Sequence, residues 1–206
     1  MKRIAIVGTG KVGGTLTRKL AAAGHRIHLG VRDLAKFDNQ PLLDLSGVSL
    51  HLVAEAVALS EVVILAVPAP AAADASRSLG DTSGKVIIDT MNVVGGRGPE
   101  EFSNASDAIL ANTTSQDLAK CFNTTGFNNM ADPQYGDQAL DSFVAGDSEK
   151  AKQVAMELSA DVGFANCYDV GGNDKFELME QFAWFWINLA MVQGQGREIG
   201  FKLLRR

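Results

Sequence analysis

Cysteine is scarce in this chain of 206 residues: only Cys121 and Cys167 occur, with no CxxC pair and no histidine close to either. That excludes a disulfide framework and leaves no zinc-ligand spacing, so no metal site is expected, and a reducing cytoplasm suits the sequence better than secretion. Histidine is equally sparse. His25, His28 and His51 have no carboxylate at triad or ligand spacing and read as structural. Positive charge is in deficit, with 19 Lys plus Arg against 24 Asp plus Glu, a formal net charge of -5. A general nucleic-acid coat is therefore excluded. Long apolar runs are missing too. Residues 62–73 are broken by Pro68 and Pro70, and residues 182–192 contain Asn188. Both fall short of the roughly 20 residues a membrane helix needs. Met1-Lys2-Arg3-Ile4 leads straight into a strand, so no signal peptide and no membrane partner are expected.

What is present is ordinary globular material, 46% hydrophobic and 21% charged. Its length suits one domain, or one domain with a small appendage. Short apolar runs at residues 2–7, 25–30, 61–67 and 85–89 read as strands buried on both faces. A weaker run covers 48–52. Helical spacing occurs between them, at 11–23, 55–59 and 71–79. This alternation predicts an α/β protein with a doubly wound parallel sheet, the Rossmann arrangement. Residues 95–104 read as an exposed loop, 118–124 and 142–145 as further strands, 148–162 as an amphipathic helix closed by Gly163, and 164–170 as a late strand. Residues 176–203 read as mostly helical, kinked near Gly194 and Gly196. We expect a dinucleotide-binding domain over 1–145 and a small substrate or dimerisation segment over 146–206.

The chemistry begins at Gly8-Thr9-Gly10-Lys11-Val12-Gly13. This is G-x-G-x-x-G placed between a strand and a helix, the context a pyrophosphate-binding loop requires. Gly8 permits the tight turn, Gly10 lets the backbone approach the phosphates, and Gly13 allows close packing. The helix start then presents free N–H groups and a positive dipole end. An Asp or Glu at the end of the second strand would hold a ribose 2′-hydroxyl. Here Gly30-Val31-Arg32 stands in that place, with Lys36 four residues on. Arg32 suits a 2′-phosphate, so NADP(H) is the expected cofactor. Val67 and Pro68 end the fourth strand at the ligand-binding edge. Asn92, and Asn123 with Thr124, end two further strands. Each reads either as a contact to the nicotinamide or second substrate, or as a loop or cap residue.

Several separate blocks together resemble one family. They are Ile6–Gly13 with Gly30-Val31-Arg32 and Lys36; Val63-Ile64-Leu65-Ala66-Val67-Pro68; Val86-Ile87-Ile88-Asp89-Thr90-Met91-Asn92; Lys120-Cys121-Phe122-Asn123-Thr124 with Met130-Ala131-Asp132-Pro133; and Trp186-Ile187-Asn188-Leu189-Ala190 through to Arg206. The chain resembles the NADP oxidoreductases that depend on the deazaflavin coenzyme F420. A related family is the cytosolic domain of the transmembrane ferric reductases. The resemblance implies that Thr9, Gly10, Lys11 and Val12 contact the pyrophosphate, and that Val31, Arg32 and Lys36 surround the 2′-phosphate. Val31 departs from the pattern, since many relatives carry a hydroxyl residue there.

The implied reaction is hydride transfer between NADP(H) and a deazaflavin or another flavin-like co-substrate. Such chemistry belongs to the cofactors, and the protein supplies alignment and a dry pocket. No residue is therefore named as catalytic. Two other readings stand beside it, and a third, an imine reductase of the pyrroline-carboxylate type, ranks lower because it would need a longer helical dimer domain than the roughly 60 residues left after the sheet. One is an NADPH-dependent flavin or ferric-chelate reductase. The other is an NADPH-binding sensor without turnover. The segment Phe182-Ala183-Trp184-Phe185-Trp186-Ile187 is apolar around the whole helix and needs cover on several sides. A homodimer is the expected arrangement.

Overall fold

The computed structural model describes residues 1–206. Ten strands form: β1 (Arg3–Val7), β2 (Arg26–Val31), β3 (Val48–Leu52), β4 (Val62–Leu65), β5 (Val86–Asp89), β6 (Leu118–Cys121), β7 (Gln134–Tyr135), β8 (Gln138–Ala139), β9 (Ser142–Ala145) and β10 (Cys167–Gly171). The helices are α1 (Lys11–Ala22), α2 (Val53–Ala58), α3 (Ala72–Arg77), α4 (Ala105–Ala111), α5 (Phe127–Ala131), α6 (Glu149–Val162) and α7 (Phe176–Ile187). Eight strands make one sheet in the order β10-β9-β6-β5-β4-β1-β2-β3. β3 to β6 run parallel through β1, and β9 joins β6 antiparallel. The strand order reverses between β1 and β4. In a doubly wound sheet that point opens a crevice at the carboxyl ends of the strands. The expected Rossmann fold is thus the observed one.

Side chains alternate between two cores, one on each face. Ile4, Ile6, Val62, Ile64 and Ile88 pack under α1 and α6. Ala5, Val7, Val63, Leu65 and Ile87 pack under α2, α3, α4 and α7. This two-sided burial is why these strands read as continuous apolar runs.

Several expectations are corrected. The loop after β5 is followed by α4, whose start is capped by Asn104, its side chain accepting the Asp107 N–H at 2.9 Å. Strand β6 stops at Cys121 because Phe122 turns to a left-handed φ of 64°. Helix α5 and the β7–β8 hairpin occupy a stretch that carried no clear periodicity. The long C-terminal helix ends early. After α7 comes a wide turn over Asn188–Val192, and residues 193–206 are irregular. Side chains tie this tail back onto the domain. Asn129 donates to the Ile199 carbonyl at 2.7 Å, Trp186 Nε1 to the same carbonyl at 2.8 Å, and Leu203 N–H to Asp141 at 2.8 Å. Residues 146–171 extend the same sheet and core through α6 and β10, and the chain leaves the sheet layer only near α7. No helix is long and apolar enough to cross a membrane.

Candidate active site

The glycine loop is built around three different demands. Gly8 sits at φ 103°, and a Cβ there would lie 2.4 Å from the Ala66 carbonyl oxygen. Only glycine meets both constraints. A Cβ on Gly13 would lie 1.8 Å from the Gly8 carbonyl oxygen, so α1 rests directly on the loop. Gly10 is the opposite case. A Cβ there meets no protein atom within 4 Å. Its smallness serves nothing inside the protein and leaves a cradle open above the loop. The first intrahelical bond runs from Gly14 N–H to Gly10 C=O at 2.8 Å, so the amides of Lys11, Val12 and Gly13 donate to no protein group. No acidic residue lies in the first turn. Free amides and a positive dipole end without a neighbouring acid are the features that suit a helix start to an anion. Asn39 Nδ2 donates to the Thr9 carbonyl at 3.1 Å and holds the loop from the β2 side.

A cavity of about 920 Å³ opens along this edge. Gly8, Thr9 and Gly10 form one end of its lining, Val31, Arg32 and Lys36 another, and Val67 and Pro68 a third wall. Arg32 is exposed and makes no ion pair or side-chain hydrogen bond within the protein. Lys36 is 84% exposed, and its Nζ lies 3.3 Å from Asp33 Oδ2. Asp33 also lines this cavity, and its side chain accepts the Ala35 N–H at 3.0 Å as cap of the short 3-10 turn Leu34–Lys36. The nearest acid after β2 is thus occupied by its own turn, and Arg32 is the uncommitted cation. These residues fit a dinucleotide carrying a 2′-phosphate.

The far half of the site differs from expectation. Asn92 and Asn123 do not line that cavity. They bind each other across the ends of β5 and β6. Asn92 Nδ2 donates to the Asn123 carbonyl at 2.7 Å, and Asn123 Nδ2 donates to Asn92 Oδ1 at 2.9 Å and to the Met179 carbonyl at 3.2 Å. Their NH2 groups join two strand ends to α7, while Asn123 Oδ1 is buried with no hydrogen-bond partner. Lys11, Val12 and Gly13 also lie outside the cavity lining. Lys11 instead places its ammonium 5.3 Å from the Phe127 ring, whose other neighbour is the Arg197 guanidinium at 5.2 Å.

Sequence reasoning missed one cluster altogether. Lys120, fully buried on β6, lies 2.7 Å from Asp89 Oδ2 and 2.8 Å from Glu180 Oε1, and donates to the Met91 carbonyl at 2.8 Å. Asp89 also accepts from Ser106 Oγ at 2.6 Å and from the Met91 N–H at 2.7 Å. Glu180 Oε2 accepts the Val93 N–H at 3.1 Å. One cation and two carboxylates thus tie β5, β6, α4 and α7 together below the strand ends. A charged residue inside an apolar run such as Leu118-Ala119-Lys120-Cys121 was the available signal, because a buried charge requires a partner.

The histidines stay structural, with one correction. The fold gives His25 a carboxylate that spacing alone did not. Its Nε2 lies 2.9 Å from Asp161 Oδ2 and its Nδ1 accepts the Lys2 N–H at 3.0 Å. Burial and the neighbouring Cys167 push the Cys121 thiol well above its ordinary range, which makes it an unreactive core residue. No cluster of three or more potential metal ligands is present.

The fold and this edge define an NADPH-dependent oxidoreductase. Residues 3–93 match the family described as NADP oxidoreductase coenzyme F420-dependent, which bears out the resemblance read from the motifs. A crystal structure provisionally described as an F420-dependent NADP-reductase from Arthrobacter sp. FB24 superposes with a TM-score of 0.84 at 26% identity, covering 100% of both chains. A hypothetical protein from Sinorhizobium meliloti gives 0.71 at 23% identity over 100% of this chain and 97% of its own. A reductive aminase from Aspergillus terreus in complex with NADPH gives 0.66 at 17% identity, covering 94% of this chain but 63% of the aminase. The last two share the fold.

Proposed function

We propose that the protein transfers a hydride between NADP(H) and a deazaflavin of the coenzyme F420 type, or a closely related flavin, in the cytoplasm and as a homodimer. The carrying observation is the pairing of an open Gly10 cradle with an uncommitted Arg32 in one cavity, on a chain whose residues 3–93 match an F420-dependent family. NADPH supplies the hydride when bound. The residues of this chain bind and orient. The free amides at the start of α1 hold the pyrophosphate, Arg32 holds the 2′-phosphate with Lys36 beside it, and Val67 and Pro68 fix the wall of the crevice. Asn92 and Asn123 keep the β5 and β6 ends rigid, so that the second ring meets a fixed surface. The segment 146–206 supplies substrate cover and, through α7, the partner contact. No acid or base is assigned, because ring-to-ring hydride transfer needs alignment above all.

The test is NADPH oxidation followed by absorbance with coenzyme F420, FMN and FAD side by side. Turnover of the deazaflavin above the two flavins is the expected result. NADPH binding without turnover of any of the three would overturn the proposal and leave a nucleotide-binding module.

A further inference from the structure

The cavity beside the glycine loop has a further wall that the phosphate contacts leave free. Ala71, Asp74, Ala75 and Ser78 line it, from the turn before α3 to the residue after it. Residues four apart fall on one helical face. Ala71 with Ala75, and Asp74 with Ser78, therefore form two neighbouring rows towards the cavity. The alanines are half-buried and carry nothing beyond Cβ, so they leave a low apolar surface on which a flat ring can lie. The polar row stands beside it at the exposed rim.

That polar row presents acceptors. Arg77 Nη1 donates to Asp74 Oδ1 at 2.5 Å, and Arg77 Nε donates to Asn112 Oδ1 at 3.1 Å. Asn112 Nδ2 in turn donates to the Ala108 carbonyl of α4 at 2.8 Å. A chain of bonds from α4 thus grips one oxygen of Asp74, although the side chain is 85% exposed, and leaves Oδ2 without a hydrogen bond in the protein. The guanidinium offsets the carboxylate charge, so Asp74 offers an acceptor without strongly repelling a phosphorylated ligand. Ser78 Oγ gives its proton to the Ala75 carbonyl at 2.7 Å, which leaves its lone pairs for any further partner. Asp33 and Asp38, the other carboxylates of the lining, stand on the β2 side with Arg32 and Lys36.

We infer that this wall receives the base of the dinucleotide and that Asp74 makes it selective for a 6-aminopurine. With the pyrophosphate at the start of α1 and the 2′-phosphate at Arg32, the ribose lies between them and the base extends to the alanines of α3. Adenine then turns its 6-amino group, a donor, to the free oxygen of Asp74. A 6-oxopurine sets a carbonyl oxygen against that carboxylate, acceptor against acceptor, and loses the bond. This rests on NADP(H) as the cofactor and adds the residue that reads its base.

The experiment is calorimetric titration of the full chain with NADP+ and with its hypoxanthine analogue, nicotinamide hypoxanthine dinucleotide phosphate. The two ligands carry the same phosphates and the same nicotinamide. Wild type should bind NADP+ about three- to tenfold more tightly, the weight of one hydrogen bond. Asp74→Ala should bring that ratio close to one by weakening NADP+ while the analogue binds as before, and it should melt like wild type because the side chain is exposed. The wild-type comparison needs no variant and keeps the test decisive if Asp74→Ala misfolds. Equal affinity of wild type for the two ligands, or a folded Asp74→Ala that keeps the preference, would overturn the inference and leave the cofactor assignment standing. Failure of wild type to bind either ligand would overturn the cofactor assignment and this inference with it.

Discussion

Gly10 and Gly13 stand three residues apart in one motif and serve different masters. Gly13 is small for the protein, because a Cβ would overlap the Gly8 carbonyl oxygen at 1.8 Å. Gly10 is not small for the protein, because a Cβ there touches nothing, and its proposed role is to leave room for the pyrophosphate. Gly13→Ala should therefore destabilise the fold by at least about 1–3 kcal/mol, the range for forced overpacking. Gly10→Val should melt like wild type and lose NADPH binding. Thermal melts with and without NADPH separate the two, and a Gly10→Val protein that still shifts its melting temperature with NADPH would refute the cradle. Arg32 is argued in the same way. It has no partner in the protein, whereas Lys36 is shared with Asp33. Arg32→Ala should weaken NADPH binding by about 1.5–3 kcal/mol, the worth of a hydrogen bond to a charged group, and leave NADH nearly unchanged. Lys36→Ala should cost less. Calorimetric titration of both cofactors decides it, and equal losses for NADPH and NADH would mean that Arg32 does not read the 2′-phosphate.

At the scale of elements, legibility followed burial. Strands β1, β4 and β5 are buried on both faces, so their apolar runs stood out, and α1 and α6 carried a clear helical stripe ended by glycine. The loop motif and Arg32 were legible because the roles proposed for them depend on local order in the chain. Glu180 with Lys120 was not, since its members come from α7 and β6 and meet only through the fold. Asn92 and Asn123 were legible as strand ends, but their mutual hydrogen bonds were not. The tail misled because its anchors, Asn129 and Asp141, lie 70 and 62 positions from their partners Ile199 and Leu203. The β2–β3 pair carries a pH dependence of its own. His28 Nδ1 lies 2.9 Å from Ser49 Oγ, which lies 2.8 Å from His51 Nε2. Burial first, then His51, Arg26 and Arg3, hold the His28 imidazole below its ordinary value. Its contribution to stability is therefore full above the unfolded value of about pH 6.5 and is lost as pH falls through the lower folded value. Urea denaturation between pH 7.5 and 5 should show this decline, and His28→Gln should flatten it. An unchanged slope in His28→Gln would assign the decline to other groups.

At the scale of the molecule, α7 carries the argument for the proposed homodimer. Its inner face, Phe176, Met179, Ala183 and Trp186, is buried in the domain. The outer face is not. Leu178 and Phe185, seven residues apart, are half exposed with Trp184 nearly so, and Met191 and Val192 in the wide turn that follows are exposed as well. Helical geometry puts Leu178 and Phe185 on one side of α7, and the C-terminal Leu203 and Leu204 add to the exposed apolar surface. Exposed apolar residues gathered in this way are what a contact between copies would cover. A second copy of the same surface is the simplest cover, because a two-fold axis lets one patch satisfy itself. Sedimentation at low micromolar concentration should give about twice 21.9 kDa. Phe185→Glu, placed on that surface and outside the cavity lining, should return the mass to that of one chain while NADPH binding persists, since the glycine loop and Arg32 lie elsewhere on the molecule. A wild-type monomer at that concentration would show that the surface serves another partner. A Phe185→Glu dimer would place the interface on a different face.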